Sequence, residues 1–231
     1  MSNVITIKNL TKSYDNGNLK VLSKINFTFQ KGKIYSITGP SGSGKSTLLN
    51  LISLIDKPNN GNVVINNVDT TKIENDQKDI LRSEKIGIIY QDKNLLNDFT
   101  AIENIYLANL AIKNSKRNAL VKAKKLLTKF DLKKRQDHYP NELSGGEIQR
   151  VAICRAIINE PEIILADEPT GSLDSKNAKN VFKILMRLIN KDRTIIFATH
   201  NIYFANLADC KLELKDGILR TANARIGFKT I

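Results

Sequence analysis

Gly39-Pro40-Ser41-Gly42-Ser43-Gly44-Lys45-Ser46-Thr47 fits the pattern G-x-x-x-x-G-K-[ST], a loop that cradles phosphates. Ile34-Tyr-Ser-Ile-Thr38 before it reads as a strand, and Leu48, Leu51, Ile52 and Ile55 after it recur at helical spacing. An ordinary glycine turn needs neither neighbour; a phosphate loop needs both. Its backbone N–H groups point inward at an anion, and the N-terminus of the following helix adds partial positive charge at the same point. Lys45 is placed to reach β- and γ-phosphates, and the Ser46 hydroxyl to hold Mg2+.

Composition sets bounds on the rest. At 231 residues, 41% of them hydrophobic, the chain has enough apolar material for one large domain, alone or with a smaller lobe. Apolar runs such as Ile86-Gly-Ile-Ile-Tyr90 are far too short to cross a bilayer. Met1-Ser-Asn-Val-Ile-Thr-Ile7 lacks a basic region followed by an apolar one, so no signal peptide is expected and the chain is read as soluble and intracellular. Cys154 and Cys210 both stand in apolar contexts and are expected to be buried, reduced and inert. The net charge of +13 raises the question of nucleic acid. Much of it lies between Lys113 and Arg135, where ten lysines and arginines face Asp131 alone. Leu120, Ala123, Leu127 and Phe130 share one face of this expected helix, which leaves the lysines on a solvated face. A surface near anionic lipid headgroups is the second reading. Nucleic acid is the third, because the stretch lacks interleaved aromatics and no zinc, homeodomain or RNP pattern appears elsewhere.

No repeat or flexible linker divides the chain. Strands are expected at Val4–Ile7, Val21–Phe29, Ile34–Thr38, Val63–Ile65 and Ile86–Tyr90, with turns at Asn59-Asn60-Gly61 and Asn66-Asn67. From about Gln91 to Leu143 the pattern turns helical, until His138-Tyr139-Pro140 breaks it. Strand Ile163–Ala166, an amphipathic helix carrying Ala178, Val181, Phe182, Leu185, Leu188 and Ile189, and strand Thr194–Ala198 follow, then a hairpin turn at Lys215-Asp216-Gly217 and a tail of about ten residues. A strand–loop–helix start and a βαβ finish imply a parallel sheet, with the helical stretch inserted as a lobe.

Ile163-Ile-Leu-Ala-Asp167-Glu168 describes a buried strand ending in paired acids. In phosphate-loop proteins such an Asp holds Mg2+, and Glu168, directed elsewhere by strand alternation, is placed to orient or deprotonate the attacking water. Leu143-Ser144-Gly145-Gly146-Glu147 resembles the signature motif of ATP-binding cassette (ABC) ATPases, although Ser144 and Glu147 also fit a helix capping box. The order of phosphate loop, signature, paired acids and a lone His200 is specific to that family, and the resemblance covers essentially the whole chain.

The resemblance implies an α/β cassette: a mostly parallel core sheet, an N-terminal antiparallel β region and an inserted α-helical lobe. It makes 1–231 a single ATPase domain, with about 1–90 and 151–231 as the core and about 91–150 as the lobe. It implies that Tyr14 stacks on adenine and that Gly39 to Thr47 bind the phosphates. Gln91 touches Mg2+ and water and senses a membrane partner, and Asp167 and Ser46 hold the metal. Glu168 acts on water and His200 contacts the γ-phosphate. Ser144, Gly145 and Gly146 cover the γ-phosphate of a second subunit, and Ser172-Leu173-Asp174 crosses to that subunit. Glu147 stands where many relatives carry Gln, and a carboxylate there is expected to weaken nucleotide-driven closure. Cys154 replaces a more usual Ala. The implied activity is ATP hydrolysis by a dimer that drives a separate membrane permease from the inner face of the membrane, with the cargo recognised by the permease. Residues 41–58 and 167–174 resemble the lipoprotein-releasing, macrolide-exporting and peptide-resistance group. The alternative is a soluble cassette acting on nucleic acid or the cell-division machinery; no nucleic-acid partner is expected.

Overall fold

The computed structural model describes residues 2–91 and 94–222. Two sheets organise the chain. The first is antiparallel, in the order β2-β1-β4-β5. It pairs β1 (Asn3–Tyr14) with β2 (Leu19–Gln30), and β1 with β4 (Asn60–Ile65), which turns through Asn66-Asn67 into β5 (Val68–Asp69). Both turn asparagines have positive φ, as a tight hairpin needs. β1 is longer than its apolar run, Val4–Ile7, because register shifts carry pairing past Asn9, itself at φ 49°.

The second sheet has the order β10-β9-β3-β8-β7-β6 and is parallel except for its last hairpin. It contains β3 (Ile34–Thr38), β6 (Ile86–Ile89), β7 (Ile163–Asp167), β8 (Thr194–Ala198), β9 (Cys210–Lys215) and β10 (Ile218–Thr221). The fold is thus the expected α/β arrangement. The central strands are buried on both faces, which is why their sequences run apolar instead of alternating. Ile163 and Leu165 face the core shared with the antiparallel sheet and α1 (Lys45–Ile52), while Ile164 and Ala166 face the helices on the other side. Those helices include α3 (Ala101–Leu110), α4 (Lys116–Lys129), α5 (Gly145–Ile157) and α6 (Ser175–Met186).

Several boundaries differ from the sequence reading. α1 stops at Ile52, Leu54 takes φ 64°, and Ile55 is half exposed instead of extending the buried stripe. The basic stretch is not one helix: α4 ends at Lys129, Asp131 turns left-handed, and Lys133–Arg135 form a separate 3-10 turn. Ala119, Ala123 and Leu127 are its buried face, with Lys124, Lys125 and Lys129 exposed. α6 ends before Leu188 and Ile189. Cys154 is buried as expected, but Cys210 is only half-buried; burial raises both thiol pKa values. The helices α2 (Asn75–Lys85) and α7 (Ile202–Ala205) carried no clear periodic signal; α2 buries no residue at all. Among the described residues, no helix is long and apolar enough to cross a membrane. Most of the tail after the last hairpin, 223–231, lies outside the described residues.

Candidate functional site: a phosphate cleft

Parallel pairing of β3 with β8 and of β8 with β7 brings three strand ends to one edge of the sheet. The loop after β3 carries the glycine motif, β7 ends in Asp167, and His200 follows β8. Ligands gather at this edge because the loops leaving the strands diverge there. A cleft of about 460 Å3 results, lined by Tyr14, Ser41, Gly42, Gly44, Lys45, Ser46, Thr47, Gln91, Asp167, Glu168 and His200. Leu19 and Val21 line it too. Sequence reading missed them because an apolar residue on a strand carries no mark of the cleft it faces.

Two glycines are indispensable to the loop. A Cβ on Gly39, at φ 150°, would lie 2.1 Å from the Leu214 carbonyl oxygen; one on Gly44, at φ 99°, would lie 2.8 Å from Val21 Cγ1. Gly39, Pro40 and Ser43 shape the loop from behind and do not line the cleft. Lys45 Nζ donates to the Gly39 and Pro40 carbonyls, each at 2.9 Å, which folds its charge over the loop. Ser43 Oγ, behind the loop, is buried without a hydrogen-bond partner.

The two acids differ in their surroundings. Burial raises the Asp167 pKa, and the neighbouring Glu168 adds to it, against the hydrogen bond from Ser46 and the charge of Lys45. Ser46 and Asp167 both line the cleft. Glu168 is not a strand residue: its φ of 41° and the donation of the Gly171 N–H to its carbonyl place it on a turn. That turn, and not strand alternation, aims its side chain. Glu168 Oε1 accepts from the His200 backbone N–H at 2.8 Å and meets His200 Nδ1 at 2.9 Å; Oε2 accepts from Thr199 Oγ1 at 3.2 Å. Thr199, absent from the sequence reading, thus helps to hold Glu168. Gln91 Nε2 approaches the same turn, 3.8 Å from where a Cβ on Gly171 would stand. The Tyr14 hydroxyl donates to Asp56 Oδ2 at 2.9 Å.

Ser144, Gly145, Gly146 and Asp174 do not join this cleft. Ser144 caps α5: its side chain accepts from the Glu147 N–H and donates to Glu147 Oε2, which also accepts from the Ser144 N–H. Burial raises the Glu147 pKa, but these bonds and the Arg135 guanidinium outweigh it and hold the carboxyl at about 2. Arg135 Nε donates to Glu147 Oε1 at 2.8 Å, so the charge expected to repel phosphate is paired. Asp174 caps α6 by accepting from the Lys176 and Asn177 N–H groups, which keeps its carboxyl below the usual range. Gly146 lies against Asn177, where a Cβ would meet Oδ1 at 3.1 Å, so the two helix starts form one patch.

The ABC transporter family matches residues 22–171. The lipoprotein-releasing system ATP-binding protein LolD of Rickettsia bellii is 44% identical over 95% of this chain and 99% of its own length. The macrolide export ATP-binding/permease protein MacB of Vibrio parahaemolyticus is 41% identical over 98% of this chain, which corresponds to 35% of that longer protein. Among solved structures, the dimeric post-hydrolysis state of the ATP-binding cassette MJ0796 bound to ADP and Pi superposes with a TM-score of 0.87 at 39% identity, over 97% of this chain and 100% of that one. With a phosphate loop, paired acids and a distant signature patch arranged on the fold of that cassette, this chain belongs to the ABC transporter family of ATP-binding proteins.

Proposed function

We propose that the chain is the ATP-hydrolysing subunit of an ABC transporter, working as a pair of cassettes on a separately encoded membrane permease. One observation carries this reading. Lys45, Ser46, Gln91, Asp167, Glu168 and His200 converge on one cleft, whereas the signature residues lie outside it on a patch of their own. A second copy, packed head to tail, brings its Ser144 and Gly146 over the open side of the cleft. A triphosphate is then gripped between two helix N-termini, those of α1 and of the other copy's α5.

Within the cleft, Tyr14 offers its ring to adenine, and the backbone N–H groups of Gly42, Gly44, Lys45, Ser46 and Thr47 wrap the phosphates. Lys45 turns from the Gly39 and Pro40 carbonyls to the β- and γ-phosphates. The hard oxygen donors Ser46, Asp167 and Gln91 fit Mg2+, and all three line the same cleft. Bound there, the ion would neutralise charge on the phosphate oxygens. Glu168 accepts a proton from water as the water oxygen bonds to the γ-phosphorus and the bond to the bridging oxygen of ADP breaks. His200 orients the γ-phosphate and, through Nδ1, steadies Glu168. Loss of phosphate removes the anion that held the copies together, and that release is the work done on the permease.

The kinship with LolD and MacB supports a permease of the lipoprotein-release or macrolide-export type, with the cassette peripheral on the cytoplasmic face of the membrane. It favours the transporter over a soluble cassette acting on nucleic acid or cell division. The inserted helical lobe, about 91–150, is the side on which the permease couples.

Glu168→Gln tests the assignment. It is expected to bind MgATP, to lose at least about 100-fold in turnover, the usual contribution of a general base, and to accumulate as an ATP-bound dimer in size-exclusion chromatography. Undiminished phosphate release would remove Glu168 from this role.

A further inference from the structure

Tyr14 is 38% exposed at the end of β1, where a lone aromatic ring has rotameric freedom. Here it is held on two sides. Its hydroxyl donates to Asp56 Oδ2 at 2.9 Å, and the Lys12 ammonium lies over the ring, 4.8 Å from its centroid. Lys12 is two residues back on the same strand and therefore on the same face. It is 8% exposed and donates to Asp56 Oδ1 at 2.6 Å and to the Lys57 carbonyl at 2.8 Å. Asp56 is itself fixed: Oδ1 accepts from the Lys57 N–H, and its backbone N–H donates to Asn50 O in α1. The loop bearing Asp56 is thereby tied to the helix whose first residue is Lys45.

We propose that Asp56 and Lys12 form a clamp that sets the Tyr14 ring in place for a purine base and couples the base platform to the phosphate-loop helix. Lys12 occupies one face of the ring, so a base stacks on the other. Asp56 fixes the ring's rotation through the hydroxyl and holds Lys12 beneath it. Both are positioning residues that act through Tyr14 and touch no phosphate. A platform fixed in advance spares the bound complex the loss of side-chain freedom, which for one side chain amounts to about 3- to 10-fold in affinity. The clamp rests on the reading that Tyr14 stacks on the base, and the test separates the two.

Steady-state hydrolysis by the full chain is measured for Asp56→Ala, Tyr14→Ala, Tyr14→Phe and the double variant Asp56→Ala/Tyr14→Ala, together with inhibition by tripolyphosphate, which has no base. Asp56→Ala is expected to raise KM for ATP about 3- to 10-fold, with kcat within about twofold and tripolyphosphate inhibition unchanged. It should add less than about twofold in the Tyr14→Ala background, since residues acting as one unit are not additive. If Tyr14→Ala raises KM and Asp56→Ala does not, the clamp is wrong and stacking stands. If Tyr14→Ala leaves KM unchanged, stacking fails and the clamp with it. Equal weakening of ATP and tripolyphosphate by Asp56→Ala would make Asp56 a merely structural residue and overturn the proposal. Should Asp56→Ala not fold, Tyr14→Phe, which deletes only the hydroxyl, takes its place, and an unchanged KM there overturns the clamp.

Discussion

Glu147 sits in the first turn of α5, where the helix dipole favours a carboxylate and the Ser144 N–H and hydroxyl both bond to it. On the proposed pairing of two copies, a negative charge there would face a γ-phosphate and oppose closure if it stood alone. Arg135 answers it at 2.8 Å. Arg135→Ala is therefore expected to weaken ATP-driven dimerisation of a Glu168→Gln background by about tenfold, the order of one charge-assisted bond, whereas Glu147→Gln changes it by less than about threefold; sedimentation of the two variants with MgATP decides. The depressed pKa also has a direction. The folded carboxyl titrates near 2 against an ordinary 4.5, so its contribution to stability is complete above about 4.5 and is lost as pH falls from there towards 2. Glu147→Gln should flatten the pH dependence of Tm across that window and leave the slope above pH 5 alone. The motif and its capping box were legible in adjacent residues, whereas Arg135 lies twelve positions back and nothing in its surroundings in sequence marks it as the partner. The same holds for Asp56 and Tyr14, 42 residues apart: a local pattern names the residue that acts but not the one that holds it.

Strand β6 shows how an element is set by its neighbour. Gly87 interrupts the apolar run Ile86-Gly-Ile-Ile because α5 and the turn after it pass close behind. A Cβ there would stand 2.3 Å from the Ala156 carbonyl oxygen and 3.0 Å from Pro161 Cγ. Gly87→Ala is expected to cost about 1–3 kcal/mol by overpacking, read as a lower urea midpoint at unchanged slope; a midpoint equal to that of the parent chain would mean that α5 shifts freely. Elements buried on both faces, β3, β7 and β8, were readable as apolar runs, and their order along the chain gave the parallel sheet. α2 was not readable because it buries nothing, so no apolar stripe repeats at its period. β1 was read short for a related reason: its ladder continues through a bulge that breaks the two-residue alternation.

The two sheets are joined by more than their shared apolar core. Glu162, at the start of β7, accepts from Lys31 at 2.7 Å, from Lys85 at 3.1 Å and from Asn66 at 3.3 Å, so one carboxylate gathers segments from both sheets and from α2. Burial raises its pKa and the two lysines outweigh that, so it is held low. Glu162→Gln is expected to lower stability by about 1 kcal/mol, or about 2–4 °C in Tm for a chain of this size, and the loss should shrink in 1 M salt. A loss that does not respond to salt would mean that packing, not charge, is involved. That the signature lies apart from the cleft was legible because the motif order resembles a family; spacing alone says nothing about which groups end up apart. The contact between Gly39 and the Leu214 carbonyl has a last consequence, one that concerns birth order. β3 lies between β8 and β9, so the loop made in the first fifth of synthesis gains its back wall only when the ribosome has translated nearly the entire message. An interrupted nascent polypeptide, even one already carrying its signature and both acids, lacks the carbonyl wall against which that loop packs.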